Sequence, residues 1–178
     1  MTNQAGPRVT ADGKWLIFGA YGTGCTAYCL YRVRIDGTGA ELLSSNLSGS
    51  NLLFAPSPDG SRIAVFTPGS GVRMFDVATR TLSSWVLSTA AVPAWSPDGS
   101  KIAVIQSAGL VLINPDGSLI RLQFTFERLA SEPLTWLPDS RFLLARPIFN
   151  LAWDLIDTET GREFFIRGTA GGRTLSVR

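Results

Sequence analysis

The chain has no histidine, only two lysines among its sixteen basic residues, two cysteines, and 17% charged residues over 178 positions. Without histidine, Ser-His-Asp and Cys-His nucleophilic systems are excluded, as is every His-ligated zinc or iron site. A Ser-Lys pair would need Lys14 or Lys101, and each closely follows a turn. Two thiols alone cannot complete a tetrahedral metal site. No apolar run exceeds a handful of residues, so no segment is long enough to span a bilayer as a helix. The first residues, MTNQAGPRVT, lack the basic start and apolar stretch of a secretory signal. A net charge of +2, with basic residues scattered mostly beside turns, offers no stripe for nucleic acid.

What is present is a repeat. Asp12-Gly13, Asp59-Gly60, Asp98-Gly99 and Asp139-Ser140 sit in VTADGKWLIF, PSPDGSRIAVF, WSPDGSKIAVI and WLPDSRFLLA, with Asp-to-Asp spacings of 47, 39 and 41 residues. A second turn follows each, at Asp36, Asp76, Asp116 and Asp157. Asp bonds its own backbone two residues on, and Gly accepts positive φ, so these are hairpin turns. Two turns flanked by short apolar runs, every 40 residues or so, make four strands per unit, which is one propeller blade. The expectation is an all-β chain of four four-stranded antiparallel blades, at about 5–46, 50–88, 91–127 and 132–168. Strand A falls in LLFA (52–55), VPAW (92–95) and PLTW (133–136), and strand B in WLIF, RIAVF, KIAVI and RFLLA.

The PDG-centred repeats resemble the WD40-like PD40 repeats of TolB-type propellers, over almost the whole chain. The first repeat lacks the Pro before Asp12, and the fourth has Ser140 where the others have Gly. The resemblance implies a protein-interaction platform, often periplasmic or extracellular and sometimes joined to a peptidase. No cofactor is expected.

The B strands are apolar on both faces, as expected of sheets sandwiched between neighbours. So are the terminal blades, through Trp15, Leu16, Ile17 and Phe18 at one end and Phe164, Phe165 and Ile166 at the other. Leaving a few hundred Å² bare on each would cost several kcal/mol at roughly 25 cal/mol per Å². Three closures stay open: a four-bladed ring, a ring completed by a second copy in a homodimer, or a place within a longer propeller. The tail, 169–178, is a candidate closing strand A for blade one or for a partner.

Eight of the nine Asp residues occupy the repeat turns, leaving Asp154, and the five Glu residues fall in outer strands or loops. No carboxylate pair faces a channel mouth, so we expect no enzyme active site and no metal site. One Asp per turn is explained by turn geometry, since a calcium loop gathers about six oxygens from closely spaced acids. Cys25 and Cys29 lie in the loop between strands B and C of blade one. About 13 Å apart if extended, they form a disulfide if the loop is tight, or remain as two buried thiols; both readings stand. Trp95 and Trp136 hold equivalent positions and read as packing between blades. Candidate binding residues are those on loops that break the repeat: Tyr21 and Tyr28 in blade one, and Arg146, Ile148 and Phe149 in ARPIFNLAWD. The expected function is a non-catalytic platform for a protein or peptide. The alternative is a propeller segment supporting a hydrolase encoded elsewhere; a small-molecule channel site ranks below both.

Overall fold

The computed structural model describes residues 6–21, 25, 28–47, 53–67, 70–84, 86–87, 93–106, 109–124, 134–145, 153–169 and 172–177. These residues form seventeen strands in four antiparallel sheets, with no helix among them. Blade one comprises β1 (Arg8–Val9), β2 (Trp15–Ala20), β3 (Tyr28–Arg34) and β4 (Glu41–Leu47). Blade two comprises β5 (Leu53–Pro56), β6 (Arg62–Thr67), β7 (Gly71–Asp76) and β8 (Thr81–Leu82). Blade three follows with β9 (Ala94–Trp95), β10 (Ile102–Gln106), β11 (Gly109–Ile113) and β12 (Leu119–Phe124). Blade four has β13 (Thr135–Trp136), β14 (Phe142–Ala145), β15 (Trp153–Asp157), β16 (Glu163–Thr169) and a fifth strand, β17 (Gly172–Val177). In every sheet the strands are hydrogen-bonded in sequence order, as a meander requires.

The first turn of each blade is one device built four times. Thr10, Ser57, Ser96 and Leu137 each donate their N–H to the carbonyl five residues on, at 2.8 to 2.9 Å, closing the A–B hairpin. The following Asp Oδ1 accepts the N–H two residues further along, at Lys14, Ser61, Ser100 and Arg141. Gly13, Gly60 and Gly99 take φ of +69 to +72°, a region open to glycine at little cost. Ser140 takes the same conformation at +57°. In the first three blades a buried hydroxyl two positions before the Asp completes the turn. Thr10, Ser57 and Ser96 each donate to the carboxylate at 2.6 Å and accept from the N–H of Trp15, Arg62 and Lys101.

The chain divides into two compact units, residues 1–90 and 91–178. In the first, Ile17, Tyr28, Leu30, Leu43 and Leu47 of blade one form a core with Phe54, Ile63, Val65, Phe75 and Val77 of blade two. The register sets these as opposite faces of equivalent blades: Trp15 and Ile17 look forward to the next blade, while Ile63 and Val65 look back. In the second unit, Ala103, Leu110 and Leu112 of blade three look forward, and Leu134, Trp136, Leu143, Ala145 and Ile156 of blade four look back. Strand β6 shows the two-sided burial read from the sequence, with Ile63 through Thr67 all buried.

Three details differ from expectation. Strand A is only two residues long in VPAW and PLTW, where Ala94–Trp95 and Thr135–Trp136 pair. Strand D of blade two is interrupted after Thr81–Leu82, where the Ser83 hydroxyl accepts the Met74 N–H at 2.9 Å, and pairing with β7 resumes at Val72↔Leu87. The tail segment, expected as a closing strand A, instead pairs with β16 as the outermost strand of its own blade, from Phe164↔Val177 to Thr169↔Gly172. That hairpin needs a two-residue connection, and a short loop costs less closure entropy than a return across the chain.

Candidate functional site

The B–C connection of blade one carries all three tyrosines and both cysteines of the chain within residues 21–31. Strand β2 ends at Ala20, opposite Cys29 on β3. Tyr21 stands at the strand end with 66% of its surface exposed. Its ring lies 4.1 Å from that of buried Tyr28, at an interplanar angle of 38°. The Tyr21 hydroxyl beside it holds the Tyr28 phenol above its ordinary value. Cys25 and Cys29 are joined in a disulfide, with Cα atoms 5.8 Å apart. The Tyr31 hydroxyl lies 3.6 Å from Cys25 Sγ; a disulfide sulfur carries no proton, so the tyrosine is the donor. Tyr31 in turn stacks on Phe18, at 5.6 Å and 16°. The loop therefore has an aromatic floor, a covalent tie and one ring held out to solvent.

Arg146, Ile148 and Phe149 fall outside the described residues, in the segment between β14 and β15, which is likewise a B–C connection.

Sequence reasoning missed a second cluster. The Arg32 guanidinium sits 4.2 Å above the Trp15 ring and pairs with Glu41. Arg80, from the C–D turn of blade two, reaches the same Glu41 at 2.7 Å and the Leu42 carbonyl at 2.6 Å. The Arg32 guanidinium, ahead of burial and of Arg80, holds the Glu41 carboxyl below its usual range. Arg80 contacts residues 38 and 39 positions away, close to one repeat, so only the period itself signalled the pairing. The cluster ties blade two to blade one across their seam.

The turn carboxylates are committed in the same structural way. The Thr10 hydroxyl and the Lys14 N–H hold Asp12 down. Burial opposes ionisation of Asp98, yet the hydroxyls of Ser96 and Ser100 and the Ser100 N–H outweigh it and bring the group to about 2. Asp157 is buried and held lower still by a two-pronged pair with Arg141, Nε at 3.1 Å and Nη2 at 2.6 Å. A general acid or base works best with a pKa near the operating pH. These groups are pushed the other way, toward permanent acceptors.

Comparison with solved structures places two TolB proteins beside this chain. TolB from Acinetobacter baumannii superposes with a TM-score of 0.66 at 17% identity, over 98% of this chain and 51% of that one. The putative TolB from Agrobacterium tumefaciens gives 0.66 at 17% identity, over 88% and 62%. The fold is that of a TolB-like β-propeller. Dipeptidyl peptidase 4 from Porphyromonas gingivalis matches with a TM-score of 0.61 and 14% identity, over 94% of this chain and 33% of that one. No family model and no curated protein matches the sequence. The chain spans about half the length of the first TolB structure and under two thirds of the second. Identities this low speak to the fold, and one propeller fold serves many functions.

Proposed function

We propose that this chain is a non-catalytic propeller scaffold that binds a protein or peptide segment through the tyrosine loop of blade one. The observation that supports it most is the exposed Tyr21 ring, seated on buried Tyr28 in a loop tied by the Cys25–Cys29 bridge. Tyrosine gives a large apolar contact together with a hydroxyl, and is favoured at binding hot spots. The tie limits the entropy lost when the loop engages a partner. Loops carried on a rigid sheet scaffold are the usual location of recognition. Arg146, Ile148 and Phe149 join the proposed contact set on sequence grounds. An oxidising location, periplasmic or extracellular, suits the disulfide.

The test is a peptide selection on the wild-type chain, followed by titration of enriched peptides against Tyr21→Ala. Converging sequences whose affinity falls about tenfold, near 1.4 kcal/mol, with an unchanged thermal midpoint, support the proposal. No enrichment, or binding indifferent to Tyr21→Ala, overturns it.

A second reading makes the chain the propeller portion that supports a hydrolase. It draws on the likeness to the dipeptidyl peptidase, which covers a third of that chain. A hydrolase sequence encoded in continuity with this one would decide for it.

A further inference from the structure

Charge is spread unevenly along the first unit, residues 1–90. The stretches 15–31, 42–58, 63–72 and 81–90 contain no Asp, Glu, Lys or Arg. The charges gather instead around the A–B and C–D turns, where Lys14 pairs with Asp12, and Arg32 and Arg80 pair with Glu41. Arg73 stands apart, mid-strand on β7 opposite Val65. The turns of the two blades lie side by side at one end of the unit. The Ala11 N–H of blade one donates to the Pro58 carbonyl of blade two at 3.2 Å, and Arg80 reaches the Leu42 carbonyl at 2.6 Å. In an antiparallel meander the remaining connections then open at the other end.

At that end β2 stops at Ala20, β3 starts at Tyr28, β4 stops at Leu47, and β6 and β7 are joined between Thr67 and Gly71. Tyr21 stands there, 66% exposed. The connecting sequences are YGTGCTA (21–27), SGSNL (48–52) and PGS (68–70), rich in Ser, Thr and Gly with one Tyr and one Asn. A protein surface is roughly 25–35% charged, so connections of this combined length would ordinarily carry about four charges; these carry none. Turn geometry fixes where the Asp residues go, but it does not account for an opposite end without charge of either sign. Tyr, Ser, Gly and Asn are the residues that antibody recognition loops favour, for aromatic contact at low entropy cost and adaptable hydrogen bonding. The second unit differs, since its connections carry Glu127, Arg128, Glu132 and Arg146.

We infer that the loop end of the first unit takes an uncharged peptide segment, held by the Tyr21 ring with neutral hydroxyl and amide groups in support. The inference rests on the tyrosine-loop reading above and adds the chemistry of its ligand. A charged side chain docked at this end gives up water and meets no counter-charge from the connections around it, which is strongly unfavourable. A neutral segment loses far less on leaving water, and its amides and hydroxyls find partners of their own kind. Recognition of this sort is set by contact and hydrogen bonding, so salt has little to screen.

The experiment is selection on the full chain from two random peptide pools of equal length, one free of Asp, Glu, Lys, Arg and His, the other carrying them at about a quarter of its positions. Enriched peptides are then titrated by calorimetry against the wild type and Tyr21→Ala, at about 0.01 M and about 0.15 M salt, which cuts the screening length from about 30 Å to about 8 Å. The neutral pool should supply the tighter binders. Their affinity should fall about tenfold with Tyr21→Ala and change less than about twofold between the two salt concentrations. Binders drawn as readily from the charged pool and weakened by Tyr21→Ala leave the tyrosine-loop reading standing and overturn the inference. So does an affinity that changes by more than about twofold over that salt range. No binder from either pool, or binders indifferent to Tyr21→Ala, overturns both.

Discussion

Replacing Ser96 by alanine removes the hydroxyl that links the two halves of the third A–B turn. Ser96 is fully buried, donates to Asp98 at 2.6 Å and accepts the Lys101 N–H at 2.9 Å. A hydrogen bond to a charged group is worth about 1.5–3 kcal/mol, and an orphaned buried N–H costs about 1–3 kcal/mol. The fourth blade shows how part of this loss is recovered: with Leu137 in place of the hydroxyl, Asp139 itself accepts the Phe142 N–H at 3.1 Å. Allowing Asp98 the same fallback, Ser96→Ala should cost about 2 kcal/mol, read as a lower urea midpoint with an unchanged slope. Ser96→Thr should restore most of it, since Thr10 does this work in blade one. The variant also carries a pH signature. Asp98 is lowered from 3.8 to about 2 in the folded chain, so its contribution is present above pH 4 and is lost as pH falls through about 2. Across that interval the full linkage is about 2.5 kcal/mol, and solvent exposure of the carboxylate cuts it to about 1 kcal/mol. Ser96→Ala should flatten that part of the stability profile. A cost below about 0.5 kcal/mol with the acid slope unchanged would refute this account of the turn.

Gly60 and Gly13 share a conformation but not a setting: a Cβ at Gly60 meets Thr10 Cγ2 at 2.9 Å, whereas at Gly13 nothing lies within 4 Å. Gly13→Ala should therefore cost about 1 kcal/mol for φ alone, Gly60→Ala clearly more, and Thr10→Ser should recover the difference in urea titrations. Arg141→Leu leaves the buried Asp157 carboxylate without its two-pronged partner and should lower the thermal midpoint. Arg141→Lys should restore only part, because one ammonium cannot reproduce the fork. Asp157 is held low when folded, so this pair adds stability above the ordinary carboxylate range and loses it as pH falls. Arg141→Leu should shrink the acid loss. Reducing the Cys25–Cys29 bridge, which closes a loop of only a few residues, should cost about 2 kcal/mol on chain-entropy grounds. Tyr21 should then become more mobile on β2, as read by fluorescence anisotropy of a probe at that position.

The blades were legible because their turns are local. Asp and Gly at fixed offsets state the hairpin, and the apolar runs state which strands are covered on both sides. The hydroxyl before each Asp was also in plain view at Thr10, Ser57 and Ser96, but its role shows only once the strands pair and bury it. Pairings one blade apart, such as Arg80 with Glu41, Trp136 with Ala94 or Ser140 with Asp98, depend on how one sheet lies on the next. A single repeat does not state that. The tail pairs with β16 rather than closing blade one, because RTLSVR is strand-like but its own pattern does not state its partner. In the candidate site, the residues were picked out because they break the repeat. The stacking of Tyr21 on Tyr28 was not foreseen, since it depends on the path of a loop without turn consensus.

The most direct test of the proposed binding role is a hydrogen-exchange map of the chain with and without a selected peptide. The account predicts protection concentrated around Tyr21 and the start of β3, Tyr28–Tyr31, lost in Tyr21→Ala. Protection confined to the outer strands β4, β8, β12 and β17, with residues 21–31 exchanging as in the free chain, would contradict it.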